Sequence, residues 1–439
     1  MTKATEKQWT VMVYLAGDNN LDSAGVADLK EMKKIGSSDE VNIIAQFDRS
    51  GSNQATKRYY ITNKGSLEKN VVANLGETNM GDPNVLKSFI QWGIEKYPAK
   101  HYLVVVWNHG AGWDDEDVYR IARRDLKLNV ARRGEKVAAA RGDGRKSVSI
   151  RRIRVVGGQN FHRALFSTSV QKAVTTRGIA DDDNAQDFLD NIEMKKLLSA
   201  VAKKLGRKID ILGMDACLMS MAEVGYQLRD SVMLTVGSEE IEPGDGWPYD
   251  KILAALASKP KMTPQELTVV IVKQYLASYP AHAGVTQAAC DLTKSDTIAS
   301  AVDRLAKVLS NNLSDSSVGT AVVQSRLQAQ TYDVTDYIDL YDFCDLLEVN
   351  CALSEIRMAC QKVKAAIGTD GFVVSSGYKG AAVEHSNGLS IYFPQKHISP
   401  LYATLDFTKH TAWGSFLDAY VKSTGRPVPA TERGLAAAV

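Results

Sequence analysis

Two apolar runs that stop at polar turns constrain this chain more than any other feature. Tyr102-Leu103-Val104-Val105-Val106-Trp107 meets Asn108-His109-Gly110, and Ile209-Asp210-Ile211-Leu212 is soon followed by Asp215-Ala216-Cys217. Short runs rich in branched residues and bounded by turn signals read as strands buried on both faces, the kind found in parallel sheets covered by helices. In an open α/β sheet, the residues after such strands emerge on one carboxyl edge. A His and a Cys far apart in sequence are therefore expected to meet there.

The flanking pattern supports this reading. Trp9 to Leu15 is an apolar run ended by Gly17-Asp18-Asn19-Asn20, and Leu21 to Ile35 has helical spacing at Leu21, Val26, Leu29 and Met32. Val41 to Phe47 predicts a strand, Thr56 to Ile61 a small edge strand, and Val85 to Tyr97 a helix closed by Pro98. Ile192 to Leu205 predicts a helix ended by Gly206, Leu218 to Leu228 another, and Val232 to Val236 a further strand. This alternation predicts a mostly parallel, three-layer α/β/α sheet with right-handed crossovers. After Pro260 longer helices take over, at Thr263 to Tyr279 and Thr297 to Leu313, with strand candidates at Gly371 to Ser375 and Gly388 to Phe393. The organisation expected is a first half over 1–117, a basic insertion over 118–180, a second half over 181–259 and a C-terminal subdomain of helical and mixed character over 260–439.

The insertion stands out by charge. Between Val118 and Ala180 there are 16 basic residues against 3 acidic ones, a local +13 in a chain whose net charge is +2, so the remainder carries −11. Gly-, Ser- and Arg-rich, with few aromatics and no sustained period, this segment predicts an exposed loop without a core of its own. The 5 cysteines form no CxxC pair, which suits free thiols in a reducing compartment and argues against structural zinc. No stretch approaches a membrane span, and Met1 to Lys7 has no apolar leader, so a cytoplasmic location is expected.

The pair of turns has a chemical reading. A thiol at a strand-to-helix turn lies near a helix N-terminus, which favours thiolate, and an imidazole in reach can handle protons. Gly110 and Gly112 beside His109 let a substrate backbone approach closely. The bland alternatives are a buried structural Cys and an ordinary surface His.

At these residues the chain resembles the clostripain-like cysteine peptidases, relatives of caspases and gingipains. The resemblance rests on Val11-Met12-Val13-Tyr14-Leu15-Ala16-Gly17-Asp18-Asn19-Asn20-Leu21, on Trp107-Asn108-His109-Gly110-Ala111-Gly112-Trp113, on Asp215-Ala216-Cys217-Leu218-Met219, on Gly244-Asp245-Gly246-Trp247-Pro248-Tyr249 and on Gly388-Leu389-Ser390-Ile391-Tyr392-Phe393-Pro394, in that order. It implies Cys217 as nucleophile, His109 as proton-transfer group, and the backbone N–H groups of Gly110 and Cys217 as oxyanion hole. It also implies an acidic pocket, with Asp215 and Asp245 as candidates, for the Arg or Lys before the cleaved bond. Read from the residues alone, Asp215 could instead cap a helix or tune the thiol, and Asp245 could be a turn residue. The long basic insertion after Trp113 departs from the pattern. No cofactor is required by the chemistry. Calcium, which some members of that family use, stays open: Asp114-Asp115-Glu116-Asp117 and Asp181-Asp182-Asp183 are acidic, but no EF-hand spacing is present.

The reading is a cysteine endopeptidase cutting after Arg or Lys, acting on protein or peptide substrates in intracellular limited proteolysis. It would be made as a zymogen activated by cleavage in the basic insertion, in cis or by an upstream protease. The rival is a polyanion- or nucleic-acid-binding protein that uses the +13 segment as an electrostatic arm on a peptidase-like scaffold. The segment lacks interleaved aromatics and any nucleic-acid module, which counts against it.

Overall fold

The computed structural model describes residues 5–18, 21–50, 54–108, 110, 112–113, 189–368 and 370–424. Their strands are β1 (Lys7–Gly17), β2 (Val41–Arg49), β3 (Lys57–Tyr60), β4 (Val71–Asn74), β5 (Ala99–Trp107), β6 (Ile209–Asp215), β7 (Val232–Gly237), β8 (Val285–Asp291), β9 (Tyr337–Asp339), β10 (Val373–Lys379) and β11 (Ser390–Tyr392). Nine of them form one sheet in the order β10-β8-β7-β6-β5-β1-β2-β3-β4, and β9 pairs with β11 alone. β2, β1, β5, β6 and β7 make a parallel core. Both edges are antiparallel. From β1 the chain moves to β2 on one side, whereas β5, β6 and β7 advance on the other. Such a reversal opens a crevice outside the carboxyl ends of the strands.

Side chains alternate across the central strands, so the sheet buries both faces. Trp9, Val11, Val13 and Leu15 of β1 belong to one core with residues of the helices Asp22–Ile35, Tyr249–Ser258 and Pro264–Ser278. Met12 and Tyr14 of the same strand belong to the other core, with Pro83–Lys96, Asn191–Leu205, Ala222–Leu228 and Ser295–Asn312. Each fully buried aliphatic side chain is worth roughly 1.5–3 kcal/mol, which explains why a run such as Leu103 to Val106 specifies its place. The expected three-layer α/β/α architecture is present. Local chemistry delivers the chain to it: Asp190 and Glu193 cap the helix before β6 reciprocally, and Gly206 ends that helix at φ 76°, where a side chain would be strained.

The C-terminal part is joined to the sheet. β8 and β10, both from residues after 260, extend it beyond β7. Buried acids tie the two regions further. Glu239, just past β7, accepts hydrogen bonds from the Tyr332 hydroxyl (2.8 Å) and the Gly388 N–H (3.0 Å). Within the C-terminal part itself, Asp339 accepts from the Asn387 N–H (2.6 Å) and Asp342 N–H (2.7 Å). Glu223 accepts from the Tyr392 N–H (3.0 Å) and the Tyr402 hydroxyl (2.8 Å). Among the described residues, no helix is long and apolar enough to cross a membrane.

Burial pushes the Glu223 carboxyl up from its ordinary 4.5 to about 7, with the hydrogen bonds from Tyr392 and Tyr402 opposing the rise. Burial also pushes Asp48 and Glu240 up to about 7. A carboxyl raised in the folded state stabilises that state fully below its unfolded pKa, and the contribution is lost as pH rises through the folded value. Stability should therefore fall between pH 4.5 and pH 8, with Glu223 accounting for on the order of 3 kcal/mol. In urea titrations at pH 5 and pH 8, Glu223→Gln should show a smaller drop than the native chain; an equal drop would contradict the assignment.

Candidate active site

The site is built where β5 and β6 end. Trp107 is paired with Asp215 in parallel register, so both chains leave the sheet at one level. Asp215 is fully buried, and its Oδ2 accepts a hydrogen bond from the Tyr249 hydroxyl at 2.9 Å. Two residues on, Cys217 is also buried. The Cys217 Sγ accepts a hydrogen bond from the Glu242 N–H at 3.2 Å, so the loop after β7 lies directly against the sulfur.

The helix predicted to begin at Leu218 begins only at Ala222. Leu218 has φ 61°, a left-handed conformation that costs a non-glycine residue on the order of 1–2 kcal/mol and cannot continue into a helix. The intervening residues bond to distant segments instead. The Leu218 N–H donates to the Glu240 carbonyl (3.3 Å), the Ser220 N–H to the Ser238 carbonyl (2.9 Å), and the Ser220 carbonyl accepts from the Ser390 N–H (3.0 Å). The expectation that a helix N-terminus activates Cys217 is thereby corrected: four residues separate the thiol from the first helical position, beyond the reach of a dipole that acts within one turn.

Gly110 meets this turn from the β5 side. A Cβ built on it would lie 2.1 Å from the Cys217 carbonyl oxygen and 2.9 Å from its nitrogen, so only glycine lets the two backbones come this close. Gly112, at φ 69°, is packed in the same way against Leu218, Met221 and Tyr337. The structure thus brings together Gly110, Cys217 and Asp215. Asp245 is exposed, in the turn between Pro243 and Gly246. His109 lies outside the described residues, as do the basic insertion and the acidic runs 114–117 and 181–183.

The residues that hold the catalytic turn carried no recognisable signal in the sequence. Thr286 of β8 accepts hydrogen bonds from the N–H groups of Glu239 (2.9 Å) and Glu240 (3.1 Å), fixing the loop that touches Cys217. Gln287 Nε2 donates to Glu242 Oε1 at 3.1 Å. Acids two apart at Glu240 and Glu242, just past a strand, were the available clue. Elsewhere, Asp18, Asp48 and Glu77 place carboxylate oxygens within 4.8 Å of one another at the ends of β1 and β2. The Thr56 hydroxyl donates to Asp48 Oδ1 (2.7 Å).

A thiol at the carboxyl edge of a parallel α/β sheet, set between two backbones, is the placement a cysteine protease of caspase-like architecture requires. Residues 13–126 and 167–420 match the model of the clostripain family, and the chain belongs to that family. The match is interrupted inside the basic insertion. Clostripain of Hathewaya histolytica is 24% identical over 485 residues, covering 95% of this chain and 81% of its own. An inactive zymogen C11 protease from Parabacteroides distasonis superposes with a TM-score of 0.61 at 19% identity, covering 93% of this chain and 99% of its own. A secreted C11 cysteine protease from Bacteroides thetaiotaomicron, solved with an irreversible peptide inhibitor, gives 0.58 at 20%, covering 94% and 99%.

Because the Gly110 contact is with backbone, which has no rotamer to yield, Gly110→Ala should push the two loops apart. Peptidase activity should drop by at least about 100-fold, the scale on which loss of one oxyanion donor is felt, while the thermal midpoint moves by only a few degrees. Activity within a few-fold of the native chain would show that the close approach is dispensable.

Proposed function

We propose that this protein is a cysteine endopeptidase that cuts after Arg or Lys and is made as a zymogen, activated by cleavage within the basic insertion. The observation that carries the reading is the Cys217 turn: a thiol in contact with the Glu242 N–H, backed by Gly110, two residues beyond a fully buried Asp215. The Cys217 thiolate attacks the carbonyl carbon of the substrate, and the backbone N–H groups of Gly110 and Cys217 receive the negative oxygen. His109 protonates the leaving amine as the C–N bond breaks, and water then hydrolyses the thioester to regenerate the thiol. Asp215 pairs with the basic side chain before the cleaved bond, because a buried carboxylate suits guanidinium or ammonium. Asp245 is the second acid the family motif suggests. No cofactor enters these steps. The specificity follows from the resemblance to clostripain-like peptidases, and the inactive zymogen among the solved relatives supports the activation step by analogy. Limited proteolysis inside the cell is the setting proposed; fractionation of the producing cells checks it.

Cys217→Ala should abolish hydrolysis of Arg- and Lys-containing peptides, a loss on the order of 10⁶-fold, with the fold intact by circular dichroism. Full activity in that variant would remove Cys217 from the mechanism. Activation is tested separately. Exchanging every basic residue from Arg120 to Arg177 for Gln should leave a single chain with little activity, whereas the native chain separates on a denaturing gel into a smaller fragment with His109 and a larger one with Cys217. An uncut, fully active Gln-substituted chain would refute the zymogen.

A further inference from the structure

Glu242 does more than present its backbone to the thiol. Its side chain is buried to 1% exposure, and its Oε1 is held by Gln287 Nε2 at 3.1 Å. Tyr275, on the helix Pro264–Ser278, is fully buried, and its hydroxyl has no hydrogen-bond partner among the described residues. Gln287 Oε1, also fully buried, has none either. Burial pushes the Tyr275 phenol well up, and the carboxylates of Glu242 and Asp215 add to it, so the phenol stands within electrostatic range of both acids. Buried polar atoms are nearly always hydrogen-bonded, so these two oxygens, one on the residue that holds Glu242 and one within electrostatic range of it, are open to a donor from a ligand. The groups gathered here, a carboxylate, an amide oxygen and a phenol oxygen, can all accept. Guanidinium offers five N–H donors and ammonium three, and neither accepts.

We infer that Glu242, with Tyr275 and Gln287, lines the pocket for the basic side chain before the cleaved bond, so that this residue works with Asp215 in setting specificity. The inference rests on the reading of the chain as an Arg- or Lys-specific protease and names which side chains read the charge. Glu242 binds a substrate group and takes no part in bond making. Its position explains a coupling: the backbone of the residue that reads the charge also touches the sulfur, so filling the pocket bears directly on the thiol. Guanidinium reaches more acceptors than ammonium, so the set favours Arg over Lys.

The test uses the full chain, with native, Glu242→Gln and Tyr275→Phe proteins each nicked by the same trace of trypsin, which is then inhibited. The readout is the ratio of kcat/KM for a fluorogenic peptide with Arg before the scissile bond to that for the same peptide with citrulline, its uncharged isostere. Glu242→Gln should lower this ratio by about 100-fold, as expected for losing one partner of a desolvated charge pair, and Tyr275→Phe by about 5-fold. Alkylation of Cys217 by iodoacetamide, located by mass spectrometry, verifies that the thiol of each variant is intact and reachable. An unchanged ratio in Glu242→Gln, or a loss shared equally by both peptides, overturns the inference while leaving the Arg/Lys reading standing. A native enzyme that cuts neither Arg nor Lys peptides overturns the reading itself.

Discussion

The arrangement at the carboxyl edge depends on how the turn from Cys217 to Met221 is held. Nothing local would keep it in place: Leu218 sits at a φ that side chains disfavour, and no helix begins until Ala222. Hydrogen bonds from two distant segments and a close backbone approach from a third impose the conformation. The loop after β7 meets the turn at Cys217, Leu218 and Ser220, β11 meets it at Ser220, and Gly110 closes against it from β5. A strained residue persists only where its surroundings over-determine it, and here they do so beside Cys217.

Those surroundings are rigid in turn because buried acids knit them to the rest of the molecule. Glu239 reaches Tyr332 and Gly388, Asp339 reaches Asn387, and Glu223 reaches Tyr392 and Tyr402. Removing such a carboxyl from water is costly, and each stays folded because its oxygens find donors and its proton is retained more firmly. Residues after 260 therefore act as part of the catalytic unit. Thr286 and Gln287 of β8 lie within the main sheet and hold the loop that touches the sulfur. The segment that interrupts the family match lies in sequence between the β5 and β6 turns.

Much of the fold could be read from the chain because burial on both faces writes itself into composition. The runs at Trp9, Val41, Tyr102, Ile209 and Val232 became the five parallel strands of the core, in the places expected. The turns after β5 and β6 could be read as a site for the same reason, since parallel strands must release their next residues at one edge. In this way the sequence by itself determined the three-layer class, the strand identities and Cys217 as the thiol at the carboxyl edge. Tertiary structure decided the rest. That Leu218 turns left-handed, that Gly110 abuts the Cys217 carbonyl, and that the Glu242 N–H meets the sulfur from a loop held by Thr286 and Gln287 all arise from contacts between segments tens of residues apart. Such contacts leave no periodicity behind. An apolar strand repeats its requirement at every second residue, whereas a single glutamate or threonine facing a distant loop states it once, and only the folded chain shows what it faces.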